Sequence, residues 1–177
     1  LVENSHILSA HLHEVVSEGR SIWISQRDGR TKNGTDRTDQ GLVKMLAMEG
    51  GRSASEALKK LNIAPLVISY EYESCDDLKT REIYLTRRGT YTKAPGEDMQ
   101  SIISGVKQFK GAVHMQVCEP VHPVEIDNIA GRNSNEVFRR MAALIDGRIV
   151  KSYRLFKTNY IAYDIKKGTL AFASKYT

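Results

Sequence analysis

The stretch Ser21-Ile22-Trp23-Ile24-Ser25-Gln26-Arg27-Asp28-Gly29-Arg30-Thr31-Lys32-Asn33-Gly34 decides how this chain is read. Ser21 to Ser25 is short and apolar, which predicts a strand. Gln26 to Thr38 is polar, mostly charged and contains glycine, so it predicts a loop. Asp39 then predicts the cap of a helix running to about Met48 through Leu42, Val43, Met45 and Leu46. Strand, loop and helix in that order are the unit of an α/β sheet. In open α/β sheets, ligands bind outside the carboxyl ends of the strands.

The loop has the parts of a phosphate site. Gly29 and Gly34 allow positive φ and close backbone approach. Arg30 offers a two-pronged fork, Lys32 a point charge, and Thr31 and Asn33 neutral donors. A charged, glycine-containing loop is also the ordinary form of a solvated connection. Trp23 reads as core packing beside it.

Periodicity extends the pattern in both directions. Asn4 to Glu18 predicts a helix ended by Gly19. Ser53 with Glu56 resembles a capping box for a helix ending near Leu61. Ile63 to Tyr70 predicts a buried strand, Asp76 to Arg88 a helix, and Glu97 to Phe109 another. Gly111 to Cys118 alternates as a strand does. Pro120 and Pro123 read as breakers. Asn133 or Ser134 caps a long amphipathic helix, and Asn159 to Lys167 predicts a last short one. The expected fold class is α/β, a mixed sheet flanked by helices. Three clear strands are few for a closed α/β domain, and Leu1 enters in mid-helix. Both read as a segment whose N-terminal part of the sheet lies outside it.

Composition bounds the function classes. The 177 residues are 41% hydrophobic and 27% charged, which is ordinary for a globular protein. Two cysteines, Cys75 and Cys118, are no disulfide framework and suit a reducing cytoplasm. No run approaches the roughly 18 apolar residues of a spanning helix, and no secretory signal is visible. Scattered histidines and two distant cysteines give no metal-ligand spacing. The net charge of +5 favours anionic partners. It concentrates in Arg20, Arg27, Arg30, Lys32 and Arg37, and again in Arg139, Arg140, Arg148, Lys151, Arg154 and Lys157. A non-enzymatic anion- or nucleic-acid-binding module is the rival reading of that charge. Aromatic residues are only 7%, without the basic-aromatic interleaving that stacks bases, so no nucleic-acid partner is expected.

Gly29, Arg30, Thr31, Lys32 and Gly34, behind the apolar Ile22 to Ile24, resemble the Gly-Arg-Ser-Arg-x-Gly block of the glycerol-phosphate acyltransferase superfamily. A second block agrees: Ala64-Pro65-Leu66-Val67-Ile68-Ser69-Tyr70-Glu71 is similar to the family's Val-Pro-Val-like strand. The two blocks cover about the first 70 residues. The late Asn159-Tyr160-Ile161-Ala162-Tyr163-Asp164 looks like a bacterial branch of these enzymes. The resemblance implies that residues 1–177 are the C-terminal portion of one acyltransferase domain. It implies acyl transfer in phospholipid biosynthesis, from acyl-CoA or acyl carrier protein to a glycerol-phosphate-type acceptor. No cofactor is implied, and the location is cytoplasmic, at the inner face of the membrane. It gives Arg30 and Lys32 to the acceptor phosphate, with Gly29 and Thr31 beside them in the substrate-binding loop, and Pro65 to the acyl and substrate pocket. The family's glutamate position is Arg27 here, which bears on substrate choice.

The family's general base is a histidine followed, after four residues, by an aspartate. The resemblance places that pair upstream of Leu1, so this segment alone is expected to transfer no acyl group. His13 with Glu18 and His114 with Glu119 have the spacing but not the place. His6 and His11 read as helix-face residues, and His122 as part of a Pro-flanked loop.

Overall fold

A computed structural model describes residues 2–27, 29, 31–35, 37–129 and 133–177. In chain order these form α1 (Val2–Ser17), α2 (Gln40–Leu46), α3 (Ala54–Lys60), β1 (Leu66–Tyr70), α4 (Asp76–Arg88) and α5 (Glu97–Lys107). There follow β2 (Val113–Val117), α6 (Pro123–Asn128), α7 (Ser134–Ser152), α8 (Lys157–Lys167) and a 3-10 turn, Ala173–Lys175. The protein is α/β, with eight α-helices and one two-stranded antiparallel sheet among the described residues. The chain divides into two compact units. The first takes Leu1–Arg30, Asp36–Leu66 and Val117–Ser152, the second Thr31–Thr35, Val67–Gln116 and Tyr153–Thr177.

The first unit is helical, built from α1, α2, α3, α6 and α7. Their apolar stripes meet in a core of Leu12, Val43, Met45, Leu46, Leu58, Val121, Ile126, Val137, Phe138, Met141, Ala142 and Ile145. Local chemistry fixes where these helices begin. The Asp39 carboxylate accepts from Gly41 N at 2.6 Å. Ser53 Oγ accepts from Glu56 N at 3.2 Å, and Asn133 Oδ1 from Glu136 N at 3.0 Å. Each satisfies a backbone donor the helix start would otherwise leave unpaired. Thr38, just ahead of α2, donates from N and Oγ1 to one oxygen of Asp146 on α7, at 2.8 and 2.7 Å.

Pro123 begins a helix rather than breaking one. Proline lacks only a donor that the first helical position leaves unused, and its fixed φ suits that place. His122 N donates to the Glu125 carboxylate at 2.9 Å, closing the first turn of α6. Arg148 donates to the same carboxylate at 2.7 Å and to Pro120 O at 3.2 Å.

The second unit carries the sheet with α4, α5 and α8. Glu71 N bonds Ala112 O at 2.9 Å and Tyr72 N bonds Lys110 O at 3.0 Å, so the antiparallel pairing continues past the strand ends. Ser69 is fully buried, and its Oγ accepts from Arg154 N at 3.1 Å. The C-terminal residues are tied to α8 through Asp164. Its carboxylate accepts from Thr169 Oγ1, Phe172 N and the Tyr176 hydroxyl at 2.8–2.9 Å.

Four expectations are corrected. Ser21 to Ser25 is not a strand, and the sheet is antiparallel and two-stranded rather than mixed. A strand exists only through a partner's ladder, and among the described residues β1 and β2 pair with each other alone. The segment stays extended but irregular. Trp23 is no core residue: it is 70% exposed. The strand predicted from Ile63 starts at Leu66, because Pro65 has no N–H to give a ladder.

Candidate functional site

The glycine-containing loop is closed at its base in the first unit, where Asp39 N donates to Gln26 O at 2.9 Å. The residue that caps α2 thus also pins the end of the loop. Gly29 and Gly34 hold φ of +70° and +75°. A Cβ at either would meet nothing within 4 Å, so glycine is required there by backbone conformation and not by space. Asn33 Oδ1 accepts from Thr35 N at 3.0 Å, a side-chain turn that shapes the loop's far end.

Of the residues assigned to the substrate-binding loop, Arg30 lies outside the described residues. Gly29 belongs to the first unit, with Pro65; Thr31 and Lys32 belong to the second. Lys32 is not a bare cation: its ammonium pairs with the Glu82 carboxylate on α4. Thr31 Oγ1 is buried without a hydrogen-bond partner among the described residues. A buried hydroxyl without a partner costs free energy unless something accepts or donates there. Among the described loop residues, Thr31 is the one with a buried, unpartnered hydroxyl.

The chain just ahead of the second sequence block, with Ala64 of the block itself, meets the lead-in to the first. A cavity of about 550 Å³ in the first unit is lined by Ile22 and Ile24 from the lead-in and by Leu61, Ile63 and Ala64 just ahead of Pro65. Leu12 and Val16 of α1 complete its apolar wall. Among the described residues its charged lining is Arg20 and Lys60, both basic. Each has a carboxylate nearby. Arg20 Nε donates to Glu18 at 2.9 Å, and Lys60 lies 3.6 Å from Glu56. Asn62, in the turn between α3 and this wall, holds φ of +47°, a left-handed conformation asparagine tolerates better than most residues. Pro65 itself does not line the cavity. It sits one residue beyond the wall, its carbonyl accepting from Cys118 N at 2.8 Å.

The histidines have other partners. His13 Nε2 lies 3.0 Å from Leu46 O, and its ring packs on Gly50, where a Cβ would come within 2.2 Å of Nδ1. Glu18 is turned to Arg20. His114 Nε2 approaches Gln116 at 3.4 Å, and Glu119 pairs with His122 at 2.9 Å. His122 and Asp127 also have four residues between them, a spacing not singled out from the sequence. Asp127 pairs with Lys59, so these two do not form a dyad. Among the described residues no histidine bonds an aspartate, and no three His, Cys, Asp or Glu side chains gather as a metal site.

Two carboxylates are held ionised by their surroundings. Glu125 lies below the ordinary range, first through the bond from the His122 backbone and then through Arg148. Burial pushes Asp164 up, but the bonds from Phe172, Tyr176 and Thr169 outweigh it and leave its pKa lowered. The same contact raises the Tyr176 hydroxyl. These are structural clasps away from the loop. No helix among the described residues is long and apolar enough to cross a membrane.

Compared with family models, curated proteins and solved structures, the chain finds no significant match.

Proposed function

We propose that this chain is the substrate-binding portion of a glycerol-phosphate-type acyltransferase, with an acyltransferase-like α/β domain as its setting. The enzyme moves a fatty acyl group from acyl-CoA or acyl carrier protein to a hydroxyl of a glycerol-phosphate-type acceptor, at the inner face of the cytoplasmic membrane. One observation carries the reading. The lead-in to the Gly29–Gly34 loop and the residues before Pro65, far apart in sequence, line one apolar cavity whose charged lining among the described residues is basic. An apolar cavity with cationic groups suits a molecule with a hydrocarbon chain and an anionic head.

The chemistry divides as follows. Arg30 and Lys32 hold the acceptor phosphate, with Thr31 supplying a neutral hydrogen bond. The cavity wall takes the acyl chain. A histidine supported by an aspartate removes the proton from the acceptor hydroxyl, whose oxygen attacks the thioester carbonyl. Backbone donors steady the tetrahedral oxyanion, which collapses to the ester and expels the thiolate. The thiolate then takes the proton from the imidazolium. This reading assigns the histidine-aspartate pair to sequence outside residues 1–177, and every other step to groups this chain can supply.

The test is kinetic. In the enzyme that carries this chain, Arg30→Ala raises the acceptor KM or lowers kcat strongly and leaves the melting temperature unchanged. Wild-type kinetics in that variant would remove the phosphate assignment. Tight binding of nucleic acid that falls steeply with salt, without competition from glycerol 3-phosphate, would favour the module reading instead.

A further inference from the structure

Strand β2 leaves one edge open, and its ladder shows which residues look out from that edge. It runs Val113-His114-Met115-Gln116-Val117 and pairs with β1 on one side; among the described residues no strand pairs with the other. Two bonds fix its register. Glu71 N donates to Ala112 O at 2.9 Å just before the strand, and Cys118 N donates to Pro65 O at 2.8 Å just after it. The register is the same at both ends, so nothing slips between them. In an antiparallel ladder the bonded residues alternate. Ala112 and Cys118 face β1, and His114 and Gln116 therefore do so too. Val113, Met115 and Val117 turn their N–H and C=O groups away from β1. Their side chains share one face of the sheet and are 50%, 59% and 68% exposed. The strand holds no Lys, Arg, Asp, Glu or Pro, the residues that usually keep an open edge from pairing.

The order of residues along the edge says what fits it. Val-His-Met-Gln-Val is close to a palindrome centred on Met115. A second copy, turned about a two-fold axis at Met115, lies antiparallel to the first. Met115 then faces the copy's Met115, Val113 its Val117, and His114 its Gln116. This register overlaps the whole strand and leaves no outward group unbonded. The two Met115 residues exchange N–H and C=O bonds, and Val113 exchanges them with the copy's Val117. Apolar side chains meet apolar ones on one face, and polar meet polar on the other. A slip of one residue breaks that match on both faces. No like charges are opposed within the pair. An interface between identical surfaces needs self-complementarity of this kind, and a second copy brings it without further requirement. We propose that β2 pairs edge to edge with β2 of a second copy about a two-fold axis at Met115, joining the two sheets into one. An edge of five residues buries little area, so the dimer is weak and concentration-dependent. The proposal does not rest on the acyl-transfer reading.

Sedimentation equilibrium of the 177-residue chain tests it. The chain passes from monomer to dimer as its concentration rises towards about 1 mM. Met115→Lys sets like charges opposite each other and stays monomeric, and so does Met115→Glu. Mixed in equal amounts, the two variants dimerise, because opposite charges then face each other across the axis. Both keep the wild-type circular dichroism, since Met115 is exposed and its N–H points away from β1. Amide exchange reads the register in the wild type. Val113, Met115 and Val117 gain protection as concentration rises, whereas His114 and Gln116 are protected throughout. A chain still monomeric at about 1 mM, a dimer that Met115→Lys leaves intact, or two variants that stay apart when mixed overturns the proposal. So does a monomer whose three outward amides are already protected, because another segment of the same chain would then occupy the edge.

Discussion

Lys32 and Glu82, fifty residues apart in sequence, form an ion pair that gives the loop lysine a resident carboxylate partner. In the proposed site, an acceptor phosphate would compete with that carboxylate. Both side chains are partly exposed, so the pair contributes only about 0.5–1 kcal/mol. Glu82→Gln therefore tightens glycerol 3-phosphate binding roughly two- to fivefold at low salt. Lys32→Ala weakens it, and calorimetric titration reads both. Unchanged affinity in both variants would take Lys32 out of the site.

The clasp at Asp164 gives a pH dependence with two limbs. Its folded pKa is lowered, so its contribution is present above the unfolded value of about 3.9 and is lost as pH falls through the folded one. Tyr176 is raised, so its contribution is present below about 10 and is lost as pH rises through the folded value. Protection of residues 169–177 against hydrogen exchange, relative to the intrinsic rate at each pH, should be greatest between those limits. Tyr176→Phe should remove the alkaline limb and keep most of the acid one, because Phe172 and Thr169 still donate.

Leu58 and Met141 are fully buried in the first unit. Leu58→Ala should cost about 2–5 kcal/mol through lost burial and the cavity left behind. Urea denaturation should show a lower midpoint at constant slope. A loss under about 1 kcal/mol would mean that the core around α3 is not packed as described.

Gly50 has φ of +85° and lies against the His13 ring. Gly50→Ala meets both backbone strain and a clash, and should destabilise by more than the roughly 1 kcal/mol of a conformational penalty alone. Adding His13→Ala should recover the clash and not the strain. A double-mutant cycle with no coupling would contradict the contact.

Much of the fold was legible because it is written locally. Asp39, Ser53 and Asn133 cap helices through their own side chains, and α4 falls on Asp76–Arg88 as its pattern predicts. Ser21 to Ser25 misleads because a strand depends on a partner elsewhere in the chain, which no local pattern reports. Pro123 misleads because proline stops a helix and also starts one. The helix from Glu97 was legible, but spacing does not say which way a face turns. In the candidate site, the glycines were legible from backbone need. Glu82 was not, because a tertiary ion pair leaves no mark on either segment. The cavity was equally hidden, since its walls come from α1, the lead-in and the α3–β1 connection.

Trp23 is the chain's only tryptophan and lies between Ile22 and Ile24 of the cavity wall. Trp23 does not itself line the cavity and is 70% exposed, so its emission reports on the wall residues beside it. The most direct test of the central claim is a titration of the chain with lysophosphatidate below its micellar concentration, followed at Trp23 and repeated with glycerol 3-phosphate as competitor. A saturable spectral shift is expected, weakened by glycerol 3-phosphate and by Ile24→Ser. No shift, or a shift that glycerol 3-phosphate and Ile24→Ser both leave untouched, would contradict it.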